Sequence, residues 1–307
     1  MHALRTWHRP LLLAAALMVG TLVLSLGGLL LDDRVLIGSA IWLKPFKFSV
    51  SIATYSFTLA WLISLLRKGQ RLAWWMGTIA AVMLVVEMVA IVGQTFRGVP
   101  SHFNNATAFD AMVFQVMAIA IVTMWLTNAV LAVVVLRQRF VETPMLWAIR
   151  IGLLVALAGM AVAFMMPPPT PEQLTVLQAD QEPAMIGGHS VGVADGGPGM
   201  PITGWSTVGG DLRIPHFLGI HALQVLPMLA LLFGRFSRLA DQVTRTRLTF
   251  VAAAGYTGLF GLVTWQALRG QSLVHPDGLT LGVLTLLVAA VALGATAVMR
   301  SKGKVLA

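Results

Sequence analysis

The chain has 307 residues, of which 57% are hydrophobic and 11% are charged, and its formal net charge is +9. A soluble domain carries roughly twice this share of charged residues, so the composition excludes an ordinary soluble protein. Because Lys and Arg accumulate in the cytoplasmic loops of membrane proteins, the positive charge indicates membrane topology and not nucleic-acid binding. The sequence contains no cysteine, which excludes disulfides, thiolate metal sites and iron–sulfur clusters.

Apolar runs long enough to cross a bilayer recur along the whole chain. They predict an all-α, polytopic membrane helix bundle of about eight spans, organised as a single integral membrane domain over residues 1–307. We expect the first run to stay in the protein as a span, because it is too long for a signal-peptide core. The predicted spans are Leu11–Leu31, Ile41–Leu66, Leu72–Gln94, Phe109–Leu136, Leu146–Met166, Phe217–Phe233, Leu248–Leu268 and Leu279–Met299.

Most of the 21 Lys and Arg residues fall on one side of this arrangement. If the N-terminus is cytoplasmic, the inner segments hold Arg5, Arg9, Arg67, Lys68, Arg71, Arg137, Arg139, Arg235, Arg238, Arg245, Arg247, Arg300, Lys302 and Lys304. The outer segments hold Arg34, Lys44, Lys47, Arg97, Arg213 and Arg269. This bias predicts that both termini are cytoplasmic, and we expect the membrane to be a bacterial cytoplasmic (inner) membrane.

The longest outer connection, residues 167–215, is rich in Pro and Gly. A connection of this length in a compact protein is usually functional or disordered. Disordered segments carry many charges and few aromatic residues, whereas this one contains Trp205 and many apolar residues. We therefore predict one long ordered outer loop that acts as a lid.

Polar residues on the second and third predicted spans indicate a site within the bundle. Glu87 is the sole charge of the third span, and Gln94 lies seven residues further on the same face. We interpret Glu87 either as one half of a buried ion pair, with Lys47 as its partner, or as a general acid/base or proton-coupling group. A stripe on the second span is predicted to face inward and consists of Lys44, Lys47, Ser51, Thr54 and Thr58.

The connection between the third and fourth spans adds further polar groups. Arg97, His102, Asn104 and Asp110 lie close together there and are candidates for substrate binding. The alternative for this connection is structural, because Asn104 or Thr107 is suited to cap the fourth helix.

A second dense stretch begins in the glycine-rich loop and ends inside the sixth span. It carries Asp211, Arg213, His216, His221 and Gln224. The two histidines are five residues apart, so they do not form the i, i+4 pair that binds zinc on one helix. A metal would have to combine His216 or His221 with a histidine from another connection, such as His102.

Four functions fit these observations. The sequence does not indicate a cofactor. The first is a membrane-embedded enzyme acting on a small or lipid-linked anionic substrate at the outer side. The alternatives are a proton- or ion-coupled transporter and a haem- or metal-binding redox protein; a sensor or assembly factor is a further reading. The candidate catalytic residues are Glu87, Asp211, His216 and His221. The candidate substrate-binding residues are Lys44, Lys47, Gln94, Arg97, His102, Asn104, Asp110, Arg213, Gln224 and Gln266.

Overall fold

A computed structural model describes residues 7–236 and 241–303 of the chain, so Arg5, Arg238 and Lys304 lie outside the described residues. Two pairs of antiparallel two-residue strands occur: β1 (Val35–Leu36) with β2 (Ser39–Ala40), and β3 (Ser190–Val191) with β4 (Gly210–Asp211). The helices are α1 (Arg9–Leu31), α2 (Leu43–Leu65), α3 (Gln70–Arg97), α4 (Ala108–Leu136), α5 (Thr143–Val162), α6 (Pro171–Gln178), α7 (Arg213–Ile220), α8 (Ala222–Arg235), α9 (Gln242–Leu268) and α10 (Gly278–Gly303).

Seven of the described helices are long and apolar enough to cross a membrane, and there is an eighth if α7 and α8 together form one span. This confirms the predicted all-α bundle of membrane-length helices. Helices are the expected solution, because a segment in hydrocarbon has no water to satisfy its backbone N–H and C=O groups. Several ends differ from the prediction by a few residues; α3, for example, begins at Gln70 and continues to Arg97.

The sixth predicted span is not the straight helix that the sequence indicated. It is broken at His221, where α7 and α8 meet at a bend of 44°. The hydroxyl of Tyr256 on α9 donates a hydrogen bond of 2.7 Å to the carbonyl oxygen of Leu218, beside the break. A side-chain donor from a neighbouring helix stabilises such a bend, and this neighbour is invisible in the local sequence.

The chain divides into two compact units, each with its own packing. Unit one comprises residues 7–134, Met165–His189 and Ala194–Ser206. Unit two comprises Val135–Phe164, Ser190–Val193 and the described residues from Thr207 onward. The long connection between α5 and α7 contributes to both units. The prediction of a single domain stays a prediction.

The core of unit one is formed where α1, α2 and α3 pack together. Its centre is an apolar cluster of Met18, Ile52, Leu84 and Met88, and Phe48 and Tyr55 pack against it. The predicted inward stripe on α2 is wrong at Thr54. Thr54 is exposed, and its hydroxyl donates to the carbonyl oxygen of Val50 one turn earlier. Thr58 is half-buried, and its hydroxyl donates to the carbonyl oxygen of Thr54. Such back-bonding satisfies a hydroxyl within its own helix.

In unit two, α5 and α7 approach closely because glycines face each other. A Cβ atom added to Gly159 would lie 2.5 Å from the Cα of Gly219. At this contact the side chain of His216 reaches α5, and its Nδ1 is 2.9 Å from the carbonyl oxygen of Gly159. Small residues that let two backbones approach are a common basis of helix association in membranes.

This close approach can be tested with a matched pair of glycine-to-alanine substitutions. We expect Gly159→Ala to lower the free energy of unfolding by about 1–3 kcal/mol, because the added methyl group overpacks the contact. Gly261→Ala is the control, because nothing lies within 4 Å of its added Cβ. The midpoint of thermal unfolding in detergent measures both variants. Equal midpoints for the two variants would contradict the described contact.

Candidate functional site

The carboxyl group of Glu87 lies buried on α3 within unit one, where the residue is 1% exposed. Its Oε1 atom is 3.3 Å from Nε2 of His102, and this contact is an ion pair only when the imidazole is protonated. The contact lacks hydrogen-bond geometry, and among the described residues neither carboxyl oxygen of Glu87 has a hydrogen-bond partner. A buried polar group without a hydrogen bond costs about 1–3 kcal/mol. The burial of the Glu87 carboxyl group is therefore not explained by helix packing alone.

His102 lies in the loop between α3 and α4, which a backbone pairing holds in place. Asn104 forms an isolated antiparallel bridge with Met185, and the N–H of Ile186 donates to the carbonyl oxygen of Phe103 at 2.9 Å. Phe103 itself has φ of +61°, a left-handed conformation that side chains other than glycine rarely adopt. Backbone strain of this kind is frequent at functional sites, and here it occurs directly beside His102.

The side chain of His102 is surrounded by polar groups on one side and by aromatic rings on the other. Its Nδ1 atom is 3.0 Å from Nζ of Lys44 and 3.1 Å from Oγ of Ser101. The pKa of His102 is lowered, first by burial and then by the positive charge of Lys44, while Glu87 acts in the opposite direction. The aromatic rings near the imidazole are those of Phe48, Phe103 and Phe114.

The ion pair that the sequence predicted for Glu87, with Lys47, is wrong. Within the described residues the contact of Glu87 is with His102, because the loop after α3 folds back far enough to place the imidazole beside the carboxyl group. Lys47 instead donates a 2.7 Å hydrogen bond to the carbonyl oxygen of Thr203 in the glycine-rich part of the long connection.

This glycine-rich part, residues 194–206, is folded against the N-terminal end of α2 and the β1–β2 turn of unit one. An isolated bridge joins Gly199 to Ser206, and the N–H of Gly204 donates to the carbonyl oxygen of Met200 at 2.9 Å. Gly204 has φ of +66°, and an added Cβ atom would lie 3.4 Å from Oγ of Ser39. The segment therefore contacts Lys47 through a backbone carbonyl oxygen, and its role as a lid stays a prediction.

Asp110, Gln94 and Arg97 form a closed network at the C-terminal end of α3. Asp110 is 2% exposed and accepts hydrogen bonds from Thr107 (2.6 Å), Gln94 (2.8 Å) and Arg97 (2.5 Å). Arg97 also donates to the side-chain oxygen of Gln94. The backbone N–H of Asp110 donates in return to the hydroxyl of Thr107, so Thr107 caps α4. This network joins two helix ends and supports the neighbouring loop.

Asn104 contributes to the same loop through its side chain. Its amide nitrogen donates to the carbonyl oxygen of Pro100 at 3.0 Å, and its amide oxygen accepts from the N–H of Ala106 at 3.1 Å. These local bonds stabilise the turn in which His102 lies. The geometry gives Asn104 a structural role in the loop.

In unit two, Asp211 and Arg213 form a buried ion pair next to strand β4. Asp211 is 0% exposed, and Arg213 donates to both of its carboxylate oxygens, with Nε–Oδ1 at 2.9 Å and Nη2–Oδ2 at 2.6 Å. The backbone N–H of Arg213 also donates to Oδ1 at 3.0 Å. A two-pronged Arg–carboxylate contact is strongly directional. It fixes the turn that leads into α7.

The remaining predicted residues of unit two lie at helix contacts. The ring of His221 packs edge-on to Phe217, with 4.4 Å between ring centroids, at the break between α7 and α8. Gln224 follows on the first turn of α8, and its N–H donates to the carbonyl oxygen of His221 at 3.0 Å. Gln266 is buried and donates to the carbonyl oxygen of Ser272 at 2.8 Å, which closes the connection after α9.

The candidate residues therefore separate by unit. Unit one brings Lys44, His102 and Glu87 into one chain of contacts, with Lys47 bound to the glycine-rich segment. Unit two holds Asp211, Arg213, His216, His221, Gln224 and Gln266. Over residues 7–236 and 241–303, no three His, Asp or Glu side chains are grouped so that they could hold a metal ion.

Two features of unit one escaped the sequence. The hydroxyl of Ser101 contacts His102. The sequence feature that could have indicated this contact is the position of Ser101 directly before His102 in a polar loop. His189 and Asp195 form a pair with 2.8 Å between Nδ1 and Oδ2, and the ring of Phe103 packs on His189. Both residues lie in the glycine-rich connection, where sequence spacing does not reveal pairing. The chain matches no protein-family model, no curated protein and no solved structure.

The Asp211–Arg213 pair should stabilise the fold by an amount that substitutions can measure. Arg213→Met should lower the free energy of unfolding by about 3 kcal/mol, because it leaves a buried carboxylate without its cation. The double variant Asp211→Asn/Arg213→Met should recover a large part of this loss. Arg269→Met is the control, because the Arg269–Asp277 pair is 35% and 39% exposed in its side chains and should matter little. Thermal unfolding in detergent measures all three variants, and a double variant no more stable than Arg213→Met contradicts the expectation.

Proposed function

We propose that the protein is a multi-pass membrane enzyme that carries out acid–base chemistry on a small or lipid-linked anionic substrate. The observation that supports this most is the buried carboxyl group of Glu87 beside the imidazole of His102. A carboxyl group and an imidazole within reach of each other are the usual components of general acid–base catalysis. The absence of hydrogen bonds to Glu87 within the described residues leaves its oxygens available to a substrate proton.

The charge of the neighbouring residues favours an anionic substrate. Lys44 and Lys47 lie on the first two turns of α2, three residues apart and so on one face of the helix. Lys44 contacts an imidazole nitrogen of His102, and Lys47 donates to the carbonyl oxygen of Thr203. Ammonium groups next to a partly buried site attract phosphate or carboxylate groups.

The glycine-rich segment supplies the means to close such a site. It is bound to Lys47 through the carbonyl oxygen of Thr203, so an anion arriving at Lys47 competes with this hydrogen bond. Ile202, at the tip of the segment, is 70% exposed and has φ of +65°, an unfavourable conformation for a β-branched residue. We propose that the segment is a lid that excludes water once substrate is bound.

Proton-coupled transport is the second candidate, because Glu87 is an ionisable residue within a helix of membrane-spanning length. A transporter needs access to this group from both sides in turn. The apolar cluster of Met18, Ile52, Leu84 and Met88 lies between α1, α2 and α3 near the level of Glu87. This packing favours access from the outer end alone, and so it favours the enzyme.

The redox alternative has less support from the site. The most suitable axial ligand for a haem in unit one is His102, and both of its ring nitrogens are engaged. Nδ1 contacts Lys44 and Ser101, while Nε2 faces Glu87. A haem would have to displace these contacts.

We also propose that the protein lies in a bacterial cytoplasmic membrane with both termini inside and the Glu87 site toward the outside. The support is the concentration of Lys and Arg in the connections that alternate with the long, polar ones. The sidedness matters for function, because it decides from which compartment the substrate comes.

The absence of native cysteine makes this topology directly testable. In cells with a permeabilised outer membrane, a membrane-impermeant maleimide should label an Ile202→Cys variant. A Gln70→Cys variant, changed at the start of α3, should be labelled only after the cytoplasmic membrane is opened. The reverse pattern would place the lid in the cytoplasm and reject the proposed orientation.

The enzymatic function is tested with purified protein in vesicles of phosphatidylethanolamine and phosphatidylglycerol that contain a polyprenyl phosphate. Phosphorus NMR and mass spectrometry follow the phospholipids and the polyprenyl phosphate. We expect turnover by the wild type and a loss of about 10²-fold or more in Glu87→Gln, because an acid–base group contributes this much. Glu172→Gln, at an exposed carboxylate of unit one, is the matched control and should keep full activity.

A pH-sensitive dye inside the same vesicles separates the two candidate functions. If protons move in a way that depends on Glu87 and no lipid changes chemically, the protein is a transporter and the proposed enzymatic function is rejected. If a folded Glu87→Gln variant turns over lipid at the wild-type rate, Glu87 is not a catalytic residue.

A further inference from the structure

The neighbours of His102 determine which of its ring nitrogens carries the hydrogen. The ammonium group of Lys44 has three N–H donors and no acceptor. At 3.0 Å from Nδ1 it must therefore donate, so Nδ1 accepts and has no hydrogen. The hydroxyl of Ser101, 3.1 Å from the same nitrogen, is a second donor. In the neutral ring the hydrogen is then on Nε2, the atom that faces Oε1 of Glu87 at 3.3 Å.

The charged groups that face the imidazole support the neutral form. Lys44 comes from α2 and Glu87 from α3, while α4 contributes the uncharged ring of Phe114 and the loop contributes Ser101 and Phe103. Burial and Lys44 both lower the pKa of His102, against the influence of Glu87. A neutral imidazole between a cationic donor and a carboxyl group can accept a proton at one ring nitrogen and release a proton from the other.

We propose that Lys44, His102 and Glu87 form a proton relay that connects the buried carboxyl group of Glu87 with the outer end of α2. Lys44 and His102 are partly exposed, whereas Glu87 is 1% exposed, so the relay leads from the surface of the protein inward. The proposal rests on the proposed function only for the use of the proton. It also changes the role of Lys44, which becomes a positioning residue and proton donor instead of a substrate ligand.

The transfer consists of two coupled steps that conserve protons and charge. One N–H bond of the Lys44 ammonium group breaks, and its proton binds Nδ1 of His102. Nε2 and Oε1 of Glu87 are 3.3 Å apart without hydrogen-bond geometry, so the imidazole must first turn its Nε2–H toward Oε1. The Nε2–H bond then breaks, and that proton binds Oε1 of Glu87. The products are a neutral amine, a neutral imidazole with hydrogen on Nδ1, and a neutral carboxylic acid. The removal of two opposite charges from a poorly solvated site offsets the loss of their attraction, and the same two steps in reverse return the proton.

Nitrogen NMR of the protein labelled with 15N-histidine tests the relay without a substrate. The wild type should show His102 as one neutral tautomer with hydrogen on Nε2. In Lys44→Met the titration of His102 should move to higher pH and the preference for this tautomer should be lost, while Lys44→Arg should restore both. In Glu87→Gln the titration should move to lower pH. Lys68→Met, at the other end of α2, should resemble the wild type.

The exchange of the Nε2 proton with water measures transport along the relay. We expect this exchange to slow by about tenfold or more in Lys44→Met. A wild-type His102 with hydrogen on Nδ1, or a titration that Lys44→Met leaves unchanged, would overturn the relay. Unchanged exchange in Lys44→Met would also overturn it. If the relay fails but Glu87→Gln still abolishes lipid turnover, the proposed enzyme stands and obtains its protons by another route.

Discussion

The contact between Glu87 and His102 is the interaction around which the loop between α3 and α4 is arranged in unit one. A carboxyl group in an apolar bundle is expensive unless a cation or a donor accompanies it. The group that accompanies Glu87 is an imidazole from a loop, and that loop is held by a strained Phe103 and by a backbone bridge to the long connection. Several elements are thus arranged to bring one ring to one carboxyl group.

In the Asp211–Arg213 pair of unit two, both oxygens of a buried carboxylate accept hydrogen bonds. Its oxygens accept hydrogen bonds from the guanidinium group and a backbone N–H, and the pair is fixed in one geometry. Asp110 is similarly satisfied by Thr107, Gln94 and Arg97. The contrast with Glu87 separates carboxylates that stabilise the fold from the one whose oxygens have no hydrogen-bond donor among the described residues.

The glycine-rich segment and the imidazole of His102 both contact the first turns of α2. Lys44 contacts His102, and one turn later Lys47 donates to the carbonyl oxygen of Thr203. If the segment is the proposed lid and Glu87 and His102 are the proposed acid–base pair, a ligand at this end of α2 would influence both.

The sequence determined the helical spans and several members of the site, but not their pairing. Composition and run length are local properties, and a bilayer permits few ways to satisfy the backbone, so the bundle followed directly. Glu87 and His102 were recognisable because polar residues in or beside apolar spans are rare. The inward position predicted for Thr54 was wrong, because a hydroxyl that bonds to its own helix has the same spacing as an inward-facing one.

Only the tertiary structure decided which groups meet. The partner of Glu87 is His102 and not Lys47, because a loop of a few residues folds back in a conformation that no periodicity encodes. Beside the bend at His221, the hydroxyl of Tyr256 on another helix donates to the carbonyl oxygen of Leu218. His189 pairs with Asp195 within a glycine-rich connection. Contacts between residues distant in sequence depend on side-chain reach and backbone turns, and these are set only when the helices pack.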